Sequence, residues 1–372
     1  MYDYRQTLEE IATTVVANNA TEVDRSRAFP RAAVDALRER GLLKLISAKE
    51  VGGHGEGPRA AAHVVERLAR ECGSTAMITC MHYAATAVVE AFGTEAHRRA
   101  IVEDGHLGTL AFSESGSRSH FWAPVSTAKR QGDDVRLDAK KSWVTSANHA
   151  DFYVWSSGPA EAEGASTIWF VPRTTPGLTP GGGFDGLGLR GNDSVPVVAE
   201  GVVVPAANRL GEDGAGLKVM LETVLPIFNV MTASVGVGLM EGATQAACAH
   251  AGGTRYEHLD SALAELPTIR AYLARMRIDT DRTRTLVDDT ITAMETGRED
   301  VMLRVLESKA AAGESATVVL DTAMRVCGGA AFRRDVGVER RFRDARAGTV
   351  MAPTTDQLYD FIGKAICGME VF

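Results

Sequence analysis

The chain has 372 residues, of which 45% are hydrophobic and 24% are charged, and its formal net charge is −8. This composition is ordinary for a globular protein of two or three structural units, and the acidic balance argues against nucleic acid or an anionic membrane as a partner. Because no continuous apolar run approaches the ~18 residues of a membrane span and residues 1–6 show no signal-peptide pattern, we expect a soluble, cytoplasmic protein.

The cysteines do not indicate a disulfide framework or a metal site. They are odd in number and show no CxxC spacing: Cys72, Cys80, Cys248, Cys327 and Cys367. We therefore expect free, buried thiols in a reducing compartment and no metal.

The first hundred residues predict helices. Apolar residues recur at helical spacing near the start of the chain, as at Leu8, Ile11 and Val15. Ser74 and Thr94 can each cap a helix, because their hydroxyls can accept hydrogen bonds from the first free N–H groups. The first predicted unit is a helical domain over residues 1–107.

The pattern changes near Gly108 and changes back near Gly216. Between them lie short runs rich in valine and aromatic residues, punctuated by glycine and proline, which predict an antiparallel β-domain over residues 108–213. Helical periodicity then continues to the end of the chain, which predicts a helical domain over residues 214–372.

One glycine motif resembles a dinucleotide site. Gly186, Gly188 and Gly191 form a GxGxxG pattern. That pattern binds pyrophosphate only between a strand and a helix N-terminus, whereas here a glycine-rich stretch precedes it and a valine- and proline-rich run follows. We therefore predict an ordinary loop.

Several short strings, in order along the chain, are together informative. They are residues 52–55 (GGHG), 72–74 (CGS), 113–119 (SESGSRS), 141–145 (KSWVT), 188–191 (GLRG), 327–329 (CGG) and 343–345 (RDA). With them the chain resembles the acyl-CoA dehydrogenase superfamily over nearly its whole length. The resemblance implies an α+β protein with an N-terminal helical domain, a central antiparallel β-barrel or sandwich and a C-terminal four-helix bundle. It also implies FAD between the β-domain and the bundle, and a homo-oligomer, either dimer or tetramer.

The resemblance assigns several residues to the flavin. It places four of them along the cofactor: Phe112, Ser113, Ser119 and Thr354. Ser119 would also lie near the substrate thioester. Trp143 and Thr145 would flank the isoalloxazine ring, with the Thr145 hydroxyl near N5; core packing is the alternative for Trp143.

Two further assignments concern the rest of the cofactor. Arg255 resembles the arginine of RxxFG, whose bidentate guanidinium suits the FAD pyrophosphate, although His258 and Leu259 replace Phe-Gly. Gly328 and Gly329 would let the backbone approach the FAD of a neighbouring subunit. A helix C-cap followed by a turn is the alternative for these glycines.

The family's usual catalytic base is missing. Ala352 stands where the resemblance places the glutamate, and the alternative base position holds Phe228, with Asn229 beside it. The Ala352 N–H could still polarise a thioester oxygen as half of an oxyanion hole. Substitute acids or bases are His82, His120 and Asp356; for each, a capped or solvated side chain is the alternative.

These features leave three hypotheses for the function. The first is a dehydrogenase of an acyl-CoA or carrier-protein thioester that has relocated its base and passes electrons to an electron-transfer flavoprotein. The second is an oxygenase, in which O₂ reacts at the reduced flavin and no base for an α-proton is needed; the missing bases favour it. The third is a catalytically inactive flavoprotein subunit.

The bulky Phe121 and Trp122 could narrow an acyl pocket, stack on a planar substrate, or simply pack.

Overall fold

The computed structural model describes residues 3–118, 120–258 and 260–371. It confirms the predicted order of a helical part, a β-part and a second helical part. The helices of the first part are α1 Tyr4–Ile11, α2 Ala17–Ser26, α3 Arg31–Glu39, α4 Pro58–Glu71, α5 Gly73–Phe92 and α6 Glu95–Val102, with a π-helical turn at Ala12–Val16.

The two predicted helix caps have different outcomes. Thr94 caps α6, since its hydroxyl accepts a hydrogen bond from the His97 N–H at 3.2 Å. The prediction for Ser74 was wrong: α5 begins at Gly73, so Ser74 lies inside its first turn, and the Ser74 hydroxyl accepts from the Gly191 N–H at 3.1 Å. The Ser74 hydroxyl oxygen, which the local pattern assigned to the helix cap, instead accepts a hydrogen bond from a distant segment of the chain.

The β-part consists of two sheets. Its strands are β1 Gly108–Ala111, β2 Thr127–Gln131, β3 Asp134–Val144, β4 Phe152–Ser157, β5 Thr167–Pro172, β6 Leu178–Pro180 and β7 Val195–Pro205. One sheet has the order β1–β4–β5 and the other β2–β3–β7–β6. The strand pairs are antiparallel apart from β1 with β4, which run parallel and depart from the expected pattern. Tyr153, Trp155 and Trp169 fill the core of this part.

The GxGxxG stretch is a loop between β6 and β7, as predicted. A side chain at Gly188 would overlap the backbone of Arg343, and one at Gly191 would overlap Val23. Between them, the Leu189 N–H donates to an Asp344 carboxylate oxygen at 2.6 Å. The glycines therefore allow close packing between the three parts of the chain.

The C-terminal part is a helical bundle with a small hairpin. Its elements are α7 Gly216–Val219, α8 Leu225–Gly253, β8 Arg255–Tyr256, β9 Ser261–Ala262, α9 Pro267–Thr296, α10 Val301–Cys327, α11 Val338–Ala345, α12 Ala347–Val350 and α13 Thr355–Ile366. Helix α8 packs against α4, α9 and α10, and α13 packs against α10. The core is therefore continuous between the two helical parts.

The central helical stretch is unusually apolar. Gly216–Gly253 is long and apolar enough to cross a membrane by length and composition alone, with a mean hydropathy of 1.6 over 18 residues, of which 72% are buried inside the protein. Polar residues such as Asn229, Thr232 and Ser234 interrupt the stretch, so it contains no continuous apolar run of that length. A helix enclosed on all sides by other helices has the same composition.

The five cysteines are free. Cys72, Cys80 and Cys327 are buried as expected, but Cys248 and Cys367 are exposed, so the expectation of buried thiols was wrong for these two.

Candidate active site

A pocket lies where the β-part meets the helical bundle, and it encloses about 70 Å³. Its walls are formed by Met81, Leu110, Phe112, Ser113, Phe121, Ser142, Trp143, Val224, Leu225, Phe228, Ala352 and Pro353. Four residues that sequence reasoning assigned to the site therefore lie together here: Phe112, Ser113, Trp143 and Ala352. Segments from all three parts of the chain meet at this pocket.

Trp143 lines this pocket and is largely exposed. The residue lies in a bulge near the end of β3, where the register with β7 shifts between Lys141 and Val144. Its φ is +58°, which is uncommon for a bulky residue and is typical of a position that a bulge has redirected. The side chain is 70% exposed, so core packing does not explain it. An indole held in this way offers a stacking surface for a planar ring.

A buried ion pair holds the segment that follows Ser113. The Lys141 Nζ lies 2.5 Å from a Glu114 carboxylate oxygen and also donates to the Ser156 carbonyl at 2.7 Å. The second Glu114 oxygen accepts from the N–H groups of Val125 and Ser126 at 2.8 and 3.0 Å. Burial lowers the pKa of Lys141 to about 8, and the adjacent carboxylate opposes that shift. The sequence analysis assigned no role to this pair. The signal that could have indicated it is that Glu114 and Lys141, which carry opposite charges, each lie within one of the motif strings.

Thr145 and Thr354, which were also assigned to the flavin, are not among the residues that line the pocket. Thr145 is buried, with its hydroxyl oxygen 3.0 Å from that of Ser194. Thr354 caps α13 and accepts from the Gln357 N–H at 3.4 Å. Ser119 lies outside the described residues.

Aromatic side chains close one side of the pocket. Phe121 lines it and meets the Trp122 ring edge-on at 5.1 Å, and Trp122 in turn contacts Phe361 at 5.8 Å. His120 is exposed, with its ring 5.0 Å from that of Trp122. The imidazole is therefore at the rim of this aromatic cluster and outside the pocket wall.

His82 and Asp356 are not brought to the pocket. His82 is fully buried; its Nδ1 accepts from the Gly108 N–H at 3.0 Å, and its Nε2 lies 2.7 Å from the Leu43 carbonyl. Burial lowers the pKa of His82 to about 4, so the ring is neutral and joins α5 to β1. Asp356 is exposed in the first turn of α13, where a carboxylate suits the helix N-terminus.

The residues assigned to the far end of FAD are also outside this pocket. Arg255 is exposed in the β8–β9 hairpin and forms an ion pair with Asp260 at 2.7 Å. Gly328 ends α10 with φ +54°, and side chains added at Gly328 or Gly329 would meet no other atom within 4 Å. The geometry of this single chain agrees with a helix C-cap at Gly328. That these glycines approach the FAD of a neighbouring subunit stays a prediction.

One site residue was missed entirely. Lys309 on α10 is 1% exposed and donates to the carbonyls of Met351 and Pro353, at 2.9 and 2.6 Å. These carbonyls flank Ala352, so the amine lies directly behind the pocket wall. Burial lowers the pKa of Lys309 to about 7. In the sequence, a lysine within an alanine-rich helix gives no indication that its amine bonds the backbone behind a pocket wall.

Comparison with known proteins identifies the class. Models of the N-terminal, middle and C-terminal domains of acyl-CoA dehydrogenases match residues 2–104, 109–202 and 214–367. The chain therefore belongs to the acyl-CoA dehydrogenase family, which confirms the resemblance.

Individual relatives cover almost the whole chain. The human mitochondrial short-chain specific acyl-CoA dehydrogenase is 28% identical over 358 residues, covering 94% of this chain and 86% of the relative. The structure of butyryl-CoA dehydrogenase from Megasphaera elsdenii has a TM-score of 0.91 at 23% identity, covering 98% and 97% of the two chains. The prolyl acyl carrier protein oxidase AnaB has a TM-score of 0.88 at 20% identity, covering 97% of each chain. These two structures establish the shared fold.

Members of this family are FAD-binding flavoproteins, and the cofactor is FAD, as expected. The residues that line the pocket have the chemistry that suits one part of an isoalloxazine ring: the exposed indole of Trp143, apolar side chains, and the serines Ser113 and Ser142. The protein is a flavin-dependent oxidoreductase similar to acyl-CoA dehydrogenases.

Proposed function

We propose that this protein is an FAD-dependent oxidoreductase that acts on an acyl-CoA or acyl-carrier thioester and has diverged towards flavin-dependent oxygenation. A single observation carries the proposal. Of the described residues that line the pocket, none is an aspartate, glutamate, histidine or lysine. Bound FAD supplies a hydride acceptor when oxidised and reacts with O₂ when reduced.

The composition of the pocket matters because desaturation needs a base. Removing a proton α to a thioester while hydride leaves the β-carbon requires a positioned proton acceptor, which typically contributes ~10²–10⁴-fold to the rate. Ala352 and Phe228 occupy the two positions where the family pattern puts that base, and both line the pocket. Oxygen chemistry at reduced flavin does not require this proton transfer, so the pocket suits it better.

The aromatic walls of the pocket support a compact substrate. Phe112, Phe121 and Phe228 contribute these walls. Aromatic walls favour planar or short apolar groups, which can stack on them or fill the space between them. We therefore infer a short or cyclic acyl group.

Dehydrogenation is the second candidate, and the family match favours it. A relative that covers 94% of this chain is named as a short-chain specific acyl-CoA dehydrogenase. In that case a rim residue such as His120 would serve as the base, and an electron-transferring flavoprotein would accept the electrons from FAD.

Turnover under ¹⁸O₂ tests the proposal. Purified FAD-loaded protein would be incubated with short and cyclic acyl-CoAs and a source of flavin reduction, and the products would be analysed by mass spectrometry. We expect ¹⁸O in the product. Desaturated product without label, formed anaerobically with an artificial electron acceptor, would establish the dehydrogenase instead. Protein that takes up no flavin would point to neither enzyme.

Restoring the carboxylate separates the two enzymes in another way. We expect Ala352→Glu to create little or no anaerobic dehydrogenation of saturated acyl-CoAs. A carboxylate that lies ~1 Å from the position needed to accept the α-proton can lose ~10²-fold in rate. Ala352→Gln is the matched control for side-chain size. Strong dehydrogenation by the glutamate variant alone would overturn the oxygenase proposal, since it would show a pocket that lacks only its proton acceptor.

A further inference from the structure

Lys309 is buried without the partner that a buried charge normally has. Within the described part of the chain, no carboxylate lies within ion-pair distance of its amine. Lys141, the other fully buried lysine, has Glu114 at 2.5 Å. An amine enclosed without a counter-ion is costly, so its position calls for a specific function.

The bonds of this amine indicate what that function is. Its donors reach the Met351 carbonyl at 2.9 Å and the Pro353 carbonyl at 2.6 Å, on both sides of Ala352. The segment between α12 and α13 has no regular structure, and its ends are held by local bonds, from the Met351 N–H to Ala347 and from the Thr354 N–H to the Gln357 side chain. The lysine thus joins the middle of an irregular segment to the rigid helix α10.

We propose that Lys309 is a positioning residue that holds Ala352 at the wall of the active-site pocket. Its significance for catalysis rests on the proposed function, because Ala352 is important only if the reaction takes place in that pocket. The amine holds the Met351–Ala352 peptide unit and the Pro353–Thr354 peptide unit, one on each side of Ala352, and so restricts where the Ala352 backbone and methyl group lie. It does this from behind the pocket and does not itself line it.

Hydrogen exchange of residues 347–357, followed by mass spectrometry, tests this without substrate. We expect Lys309→Met, which keeps the chain length and removes the donors, to speed exchange in this segment by about 10-fold or more, since two buried hydrogen bonds are lost. Lys309→Arg should recover part of the protection. Ser308→Ala is the matched control, because it removes a buried hydroxyl of α10 that bonds only within the helix, to Val305 at 3.0 Å.

Two results would overturn the proposal. One is unchanged exchange of the segment in Lys309→Met. The other is an equal rise in all peptides, β-part included, which would show a general loss of stability. If the lysine variants do not fold, exchange is measured in the unaltered protein at rising urea below its unfolding transition. There the segment should open together with α10, and earlier opening of the segment alone would contradict the proposal.

A kinetic readout connects the positioning to the reaction. With FAD content unchanged, Lys309→Met should lower kcat by ~10²-fold with little change in KM, because a displacement of ~1 Å at a reacting centre costs about that much. If the unaltered protein shows no thioester oxidation or oxygenation, the proposed function fails, whereas the exchange result on Lys309 still stands. If exchange rises and kcat does not change, Lys309 orders the segment without affecting catalysis, and the catalytic part of the proposal is wrong.

Discussion

At the scale of single residues, Thr145 provides a direct test of the flavin assignment. Its hydroxyl pairs with Ser194 at 3.0 Å and lies two residues beyond the exposed indole of Trp143. We expect Thr145→Val to shift the flavin absorption spectrum and to slow flavin reduction, because it removes the donor proposed to lie near N5. Stopped-flow spectroscopy measures both. Ser194→Ala, which leaves the Thr145 hydroxyl in place, is the control and should have a smaller effect. An unchanged flavin spectrum in Thr145→Val would place Thr145 away from the isoalloxazine ring.

Lys309 predicts a pH dependence of stability. Burial lowers the pKa of Lys309 in the folded protein to about 7, below the ~10.4 of an unfolded lysine. Between these values the unfolded chain binds more protons, so the stability contributed by this site rises with pH and is lost as the pH falls towards 7. Relative to Lys309→Met, the free energy of unfolding of the unaltered protein should rise by about 1–2 kcal/mol from pH 7 to 8.5. Urea titrations at the two pH values measure this; a constant difference would show that the amine keeps its ordinary pKa.

At the scale of elements, a close approach of two helices joins the N-terminal part to the bundle. Helices α4 and α8 pack so tightly that a side chain at Gly238 would overlap the Glu66 carbonyl and lie 2.6 Å from Ala69 Cβ. Gly236 lies two residues earlier on α8 and faces α10, where an added side chain would only touch Ala312, at 3.5 Å. The two glycines therefore form a matched pair for testing this contact.

We expect the two substitutions to have opposite effects on stability. Gly238→Ala should lower the free energy of unfolding by about 1–3 kcal/mol, because the helices must separate. Gly236→Ala should be neutral or stabilise by up to about 1 kcal/mol, since alanine is the better helix former and ordinary contact distance is available. Urea unfolding followed by circular dichroism measures both. Equal losses in the two variants would argue against the close packing of α4 and α8.

At the scale of the whole molecule, the bundle exposes large apolar side chains. Phe332 is 84% exposed, Val350 71% and Ile366 70%, and Phe332 follows the open Gly328–Gly329 pair. Burying such side chains against another chain would remove them from water and so favour association. Homo-oligomers are typical of the family, so a second copy of the chain is the expected partner.

Purified protein should therefore be a yellow dimer or tetramer with non-covalent FAD. Phe332→Asp should lower the mass measured by light scattering and weaken FAD retention, because Gly328–Gly329 are predicted to approach the neighbouring subunit's FAD. Val203→Asp, which alters a partly exposed apolar side chain on β7, is the control. A colourless monomer that takes up no added FAD would contradict both the assembly and the cofactor assignment.

Much of the architecture follows from local sequence. Helical periodicity, short valine-rich runs and ordered motif strings are local properties, and they predicted the order of the three parts, the family and the cofactor. The resemblance assigned Phe112, Ser113, Trp143 and Ala352 to the cofactor or the reaction, and the fold brings these four residues to one pocket; their roles stay predictions. The local properties did not predict the parallel β1–β4 pair or the use of Ser74, because strand pairing and competition for a hydroxyl are decided between distant segments.

Only the tertiary structure decided what each polar group does. The sequence showed that Ala352 and Phe228 lack an ionisable side chain, but packing showed that both line a pocket whose described walls hold no titratable group. Likewise His82 is a candidate base by residue type, and its enclosure between Leu43 and Gly108 makes it a structural link. Charge, hydrogen bonding and access to a substrate depend on neighbours far apart in the chain, and for that reason the roles of Lys309 and Lys141 became visible only in the folded protein.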